Sequence, residues 1–313
     1  MAWLPGPERG CVNRRLSLVA VVISAACFGT LAILTPLAYD TGAQPLPLLA
    51  WRFVIAAALL AGVAVARDRR ALVVPVSDIG RYAALALTGY GAASVCFFYA
   101  LLYADAAIVA VLLYAYPAIV TIAGWLFLGE KPTWHKGAAV AITFLGCAFV
   151  LGLGTGEVHA SWQGIALGLG AALGYTLFNL LSHRWLPGRS RLTMMAYTFG
   201  IAALLPAAGA LIAGGWTGLS TAGWSPLTWA LLGVIVLVPT FAAIVLYLEG
   251  ISGLGPSQAA VVSTLEPIFT IILARLLLSQ APLTSLQWLG VALVLVGVVV
   301  AELGTRDLEP AAV

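Results

Sequence analysis

Apolar residues run along this chain in blocks of about 20, each long enough to cross a hydrocarbon layer about 30 Å thick as a helix. Short polar stretches separate them and hold almost all the charge. In lipid the backbone must satisfy its own polar groups, so blocks of this length predict helices rather than open strands. The expected spans are 16–38, 46–66, 81–103, 106–128, 135–153, 162–183, 191–213, 227–249, 256–278 and 286–303. Ten transmembrane helices leave no room for a soluble domain of any size.

The pattern repeats. Residues 114–132, YAYPAIVTIAGWLFLGEKP, match residues 264–282, TLEPIFTIILARLLLSQAP, with prolines in register at Pro117/Pro267 and Pro132/Pro282. Extended towards the N-terminus, the match adds Ala110/Ala260 and Val111/Val261 to Ile122/Ile272, Leu126/Leu276 and Leu128/Leu278. The chain therefore reads as two copies of one unit, residues 16–153 and 160–304, joined by the short link 154–161. Duplicated apolar units with helix-breaking prolines at mid-membrane depth are the building plan of secondary transporters.

Composition agrees: 62% of the 313 residues are apolar and 9% are charged, against roughly 25% charged in a soluble domain. Charge placement then orients the spans. With a cytoplasmic N-terminus, one side receives Arg9, Arg14, Arg15, Arg67, Arg69, Arg70, Arg81, Lys131, Lys136, Arg184, Arg189, Arg191 and Arg306. Of the 15 Lys and Arg, only Arg52 and Arg275 fall inside spans. The opposite loops hold Asp40, Asp105 and Glu157 and no basic residue. Positive loops mark the cytoplasmic side, so both termini are expected there. Five spans per half is an odd number, and the loop charges swap between halves. The copies are therefore expected to lie inverted relative to each other, with the link outside.

On these features the chain resembles the EamA family of the drug/metabolite transporter superfamily, ten-helix permeases built from two tandem five-helix repeats. The resemblance covers about residues 16–304. It rests on Cys27-Phe28-Gly29, on Leu49-Ala50-Trp51-Arg52-Phe53, on Tyr116-Pro117 with Leu128-Gly129-Glu130, and on Leu265-Glu266-Pro267. The glycine-rich closing helices, 138–152 and 289–304, fit as well. The chain departs from the family in having Ser279-Gln280 where Gly-Glu is common, and Arg275 where an aromatic is usual.

Ionisable groups inside a membrane are costly, so each marks a cavity or a partner. Glu266 stands at mid-span directly before Pro267, which leaves the carbonyl of residue 263 without its helical donor. A carboxylate beside a freed carbonyl is suited to bind an ammonium group or a proton; a structural ion pair is the alternative. Its counterpart in the first half is Tyr116. Arg52 lies in the outer part of its span, placed to pair with Glu266, to meet a substrate carboxylate, or to snorkel outwards. Tyr90, Tyr99, Tyr116, Tyr175 and Asn179 are candidates to line a solute pocket, with helix packing as their alternative role. Pro117, Pro239 and Pro267 are candidate hinges.

Other chemistries find no support. Cys11, Cys27, Cys96 and Cys147 form no CxxC pair, and His135, His159 and His183 lie far apart, so neither a metal nor a cofactor is expected. There is no Walker loop for ATP, and no nucleic-acid partner is implied. Small residues four apart, such as Gly164/Gly168 and Gly170/Gly174, serve packing within the chain as readily as a homodimer. The expected activity is secondary transport by alternating access, with the bilayer and a small organic solute as partners. The resemblance implies export of amino acids or related metabolites across a bacterial cytoplasmic membrane, driven by a solute or proton gradient. Efflux of lipophilic cations is the alternative, and an intramembrane enzyme the remote one.

Overall fold

The computed structural model describes residues 14–127, 134–151, 161–185, 189–254, 259, 262–278 and 282–306. Cys11, Leu128-Gly129-Glu130, Pro132, His159 and Ser279-Gln280 lie outside them, as does part of the span expected at 256–278. Secondary structure among the described residues is helical. Seven of the helical rods among them are long and apolar enough to cross a membrane: Arg14–Asp40, Pro45–Arg67, Val76–Ala100, Ala106–Ala123, Trp162–Ser182, Arg191–Gly214 and Pro226–Ile251. Shorter apolar helices cover Gly137–Val150 and Ser285–Val300.

Several rods are interrupted where the sequence pattern looked continuous. The first divides into α1 (Arg14–Gly29) and α2 (Leu31–Asp40) at Thr30, whose hydroxyl bonds the Cys27 carbonyl at 2.7 Å. The second is unbroken, α3 (Pro45–Arg67). The third holds α4 (Val76–Ala84), a π-helical segment (Leu85–Tyr90) and α5 (Gly91–Ala100). It begins five residues before the expected position 81, because its polar first turn is held by Asp78, buried against two arginines. The fourth divides at Tyr114 and Ala115 into α6 (Ala106–Leu113) and α7 (Tyr116–Phe127), since Pro117 cannot continue the hydrogen-bond ladder. α8 (Trp134–Val150) and α9 (Trp162–Trp185) follow, then α10 (Arg191–Ala202) and α11 (Leu204–Gly214). The eighth rod repeats the third: α12 (Pro226–Val236), a π segment (Leu237–Ala242) and α13 (Ala243–Leu254). α14 (Glu266–Leu277) and α15 (Ser285–Arg306) close the chain.

Packing exchanges the halves. α1 lies along α13, while its counterpart α9 lies along α5. α3 packs on α10, and α8 on α15, each a helix against its own repeat partner. Lipid supplies no hydrophobic drive between helices, so close approach through small residues does the work. A Cβ on Gly146 would come within 2.7 Å of the Gly290 carbonyl, and one on Gly290 within 2.7 Å of the Gly146 carbonyl. Gly174 meets the backbone of Ala93 in the same manner, at 2.8 Å. A valine at either of the first two positions must push α8 and α15 apart. Gly290→Val is expected to cost about 1–3 kcal/mol, read as a lowered unfolding midpoint in detergent. Gly137→Val, where a Cβ meets nothing within 4 Å, is the control.

Candidate functional site

A cavity of about 650 Å³ opens between the two halves. Two of its charged groups, Glu266 and Arg52, are built by one device, a hydroxyl placed where a proline has freed a carbonyl; Arg189 and Arg191 line it as well. At one end Pro267, second residue of α14, offers no N–H to the Ser263 carbonyl. The Tyr114 hydroxyl, from the break between α6 and α7, takes that place at 2.6 Å. The same hydroxyl stands 3.0 Å from the Glu266 carboxylate. One hydroxyl hydrogen faces two acceptors, so the carboxylate retains capacity for another donor. The backbone of α1 comes close here: Thr270 donates to the Gly29 carbonyl at 3.1 Å, and a Cβ at Gly29 would lie 3.1 Å from the Glu266 carbonyl.

At the other end Pro239, inside the π segment, frees the carbonyl of Ile235 near the end of α12. Thr240 donates its hydroxyl to that carbonyl at 2.8 Å and accepts Arg52 Nε–H at 2.8 Å. Arg52 is 1% exposed, so it does not snorkel outwards. Its guanidinium carbon lies 5.5 Å and 5.4 Å from the Phe53 and Phe98 ring centroids, and the Tyr90 hydroxyl is a further hydrogen-bond partner. A desolvated cation seated on rings in this way gains from the ring quadrupole.

Aromatic rings connect the two ends. Tyr90 packs on Phe178 (5.4 Å between centroids), Phe178 on Tyr175 (5.9 Å), Tyr175 on Tyr116 (4.9 Å) and Tyr116 on Tyr114 (6.2 Å). Six residues singled out in the sequence therefore share one cavity wall: Glu266, Arg52, Tyr116, Tyr90, Tyr175 and Asn179. Tyr99, on α5, is not among its lining residues. None of the ion pairs among the described residues joins Arg52 to Glu266. Pro117 and Pro267 each sit second in a helix that follows a break, and Pro239 lies inside the π segment.

Sequence reasoning named the freed carbonyl of residue 263 but not the Tyr114 hydroxyl that meets it, and it did not assign Thr240 a part. The signal for Thr240 was present: Pro239 names the carbonyl four residues back that needs a new donor. It also passed over Phe178, Met194, Met195, Tyr247 and Ser182, which line the cavity. The Ser182 hydroxyl has no hydrogen-bond partner among the described residues. Their adjacency depends on how helices distant in sequence cross.

The sequence matches the family described as the EamA-like transporter family over residues 15–152 and again over 162–303. A curated relative, the "Uncharacterized transporter YwfM" of Bacillus subtilis (strain 168), is 25% identical over 203 residues, 62% of this chain and 64% of that protein. The match thus spans less than two thirds of the relative's length. A solved crystal structure, 20% identical, superposes over 94% of this chain and 99% of its own with a TM-score of 0.65, which shows the same fold.

Removing the Thr240 hydroxyl leaves two buried groups unpaired, the Ile235 carbonyl and Arg52 Nε. Thr240→Val is expected to destabilise by about 1–3 kcal/mol, measured by unfolding in detergent. Thr121→Val, which removes only a bond to its own helix, should cost less.

Proposed function

This chain belongs to the EamA-like transporter family, and from that premise we propose that it is a secondary transporter exporting small zwitterionic solutes, amino acids or related metabolites. The observation that supports this reading is the placing of the Glu266 carboxylate and the Arg52 guanidinium on a single aromatic-walled cavity, whose lining also includes Arg189 and Arg191. Glu266 and the Ser263 carbonyl offer acceptors to an ammonium group, and Arg52 offers donors to a carboxylate. The tyrosine and phenylalanine rings between them give apolar faces to the body of the solute. Glu266 is the only acid that lines the cavity among the described residues.

In this reading the chain crosses a bacterial cytoplasmic membrane ten times, as two inverted five-helix repeats with both ends inside. The halves rock about Pro117, Pro239 and Pro267, so that the cavity faces each side in turn. A proton or solute gradient drives the cycle through Glu266, which binds either the ammonium group or a proton. A second reading, efflux of lipophilic cations, takes support from the way Arg52 is held by Thr240 and two rings. Arg52 would then be structural and Glu266 the charged group that meets the cation.

Counterflow in proteoliposomes with a panel of labelled amino acids separates the two. Uptake of a zwitterion, lost in Glu266→Gln and weakened at least about tenfold in Arg52→Gln, is the expected result. Counterflow of a cationic dye alone, unchanged in Arg52→Gln, would favour the second reading.

A further inference from the structure

The third and eighth rods are repeat partners, and each is tied at its first turn to the connection of the opposite half. Asp78 is the third residue of α4, and Thr228, 150 positions later, is the third residue of α12. Asp78 is held by Arg189, which lies between α9 and α10. Arg189 Nε donates to Oδ2 at 2.6 Å and Nη2 to Oδ1 at 2.7 Å, with Nη1 on the Trp185 carbonyl at 2.7 Å. Arg81 adds a bond to Oδ1 at 2.8 Å. Thr228 is held by Thr41, which lies between α2 and α3. The Thr228 hydroxyl stands 3.0 Å from the Thr41 carbonyl and 2.9 Å from its hydroxyl oxygen, while Thr41 donates to the Ala38 carbonyl at 2.8 Å. The two contacts are one architectural feature made twice. They lie near opposite ends of α3, whose 23 residues span about 34 Å.

Their chemistry differs. One is a bidentate ion pair with a second arginine beside it, and the Arg189 and Arg81 side chains are 28% and 39% exposed. Asp78 holds the Arg189 guanidinium above its ordinary pKa, so the pair keeps its charge. The other consists of neutral hydroxyls, with Thr228 fully buried. Their relation to the cavity differs as well. Arg189 and its neighbour Arg191 line it, whereas Thr41 and Thr228 do not. Beyond each contact the rod carries its π segment, Leu85–Tyr90 or Leu237–Ala242. The first supplies Tyr90, which lines the cavity, and the second supplies Thr240, which holds Arg52. A π segment is a local break in α-helical packing and a place where a rod can bend.

We propose that these two contacts are the paired gates of the transporter, an ionic gate at the arginine-bearing end and a hydroxyl gate at the other. Releasing either one frees the first turn of its rod to swing about the π segment and uncover the cavity from that end. The inference rests on the transporter reading and adds the residues that control access. It carries a specific asymmetry: the Asp78 side chain is 6% exposed, so salt acts on this gate through its two partly exposed arginines and less than on a fully exposed pair, while the neutral Thr228 gate is untouched.

The test is the distance between spin labels at each end, in nanodiscs, with the four native cysteines replaced. Val76→Cys with Arg184→Cys reports on the ionic gate; Leu227→Cys with Asp40→Cys reports on the hydroxyl gate. All four positions are exposed. Raising KCl from about 50 mM to about 1 M is expected to lengthen and broaden the first distance and leave the second unchanged. Asp78→Asn and Arg189→Gln reproduce that change at low salt, and Thr228→Val moves the second distance alone. The proposal is overturned if salt leaves the first distance fixed in the unsubstituted gate, or if both distances move together. The salt titration needs no gate variant to fold. Counterflow is measured on the same labelled protein: gates that respond without solute movement would count against the transporter reading and not against the gates.

Discussion

A carbonyl oxygen left without a donor inside a bilayer costs several kcal/mol, and this fold places such oxygens beside its cavity. Pro267 and Pro239 each free one, at Ser263 and Ile235. In both places a neighbouring hydroxyl accounts for it and also touches a charge, Tyr114 with Glu266 and Thr240 with Arg52. The prolines thus set the position of the polar groups, and the hydroxyls hold carboxylate and guanidinium in register with the helix breaks. The cavity exists because the rods are interrupted there. Continuous helices would have consumed these acceptors internally.

Around that interrupted centre the remaining helices give rigidity. α8 and α15 approach through Gly146 and Gly290 until their backbones touch, and among the described residues neither helix contributes to the cavity wall. The helices that do line it carry the breaks, the π segments and the aromatic row. Packing density and solute access are thereby assigned to different parts of one repeat, and the duplication supplies each part twice.

Much of the architecture was legible because lipid leaves few options. Apolar runs had to be helices, and the paired prolines of 117 and 267 exposed the duplication. Glu266 and Arg52 stood out because charge is scarce in such a chain, and both line the cavity. Interruptions were harder to see. Pro117 and Pro239 marked the break at Tyr114–Ala115 and the π segment Leu237–Ala242, but the turn at Thr30 and the π segment Leu85–Tyr90 carry no proline and lie in apolar stretches, so a pattern that scores apolar content passes over them. The early start of the third rod was hidden for the opposite reason. Asp78 looks like a loop residue until Arg189, 111 positions away, is brought against it. Tyr99 was grouped with the lining tyrosines on residue type alone, and the rotation of α5 directs that lining to other residues.

The exchange of packing partners between halves also bears on how the chain is made. Ser24 of α1 donates to Ala243, 219 positions later, and Thr270 of α14 donates to Gly29 across 241 positions. While the ribosome is still synthesising the second repeat, the helices of the first wait in the bilayer with their partner faces uncovered. α1 has no α13, α3 no α10 and α8 no α15. The half-made protein therefore exposes to lipid the small-residue and hydroxyl-bearing faces that the finished fold covers.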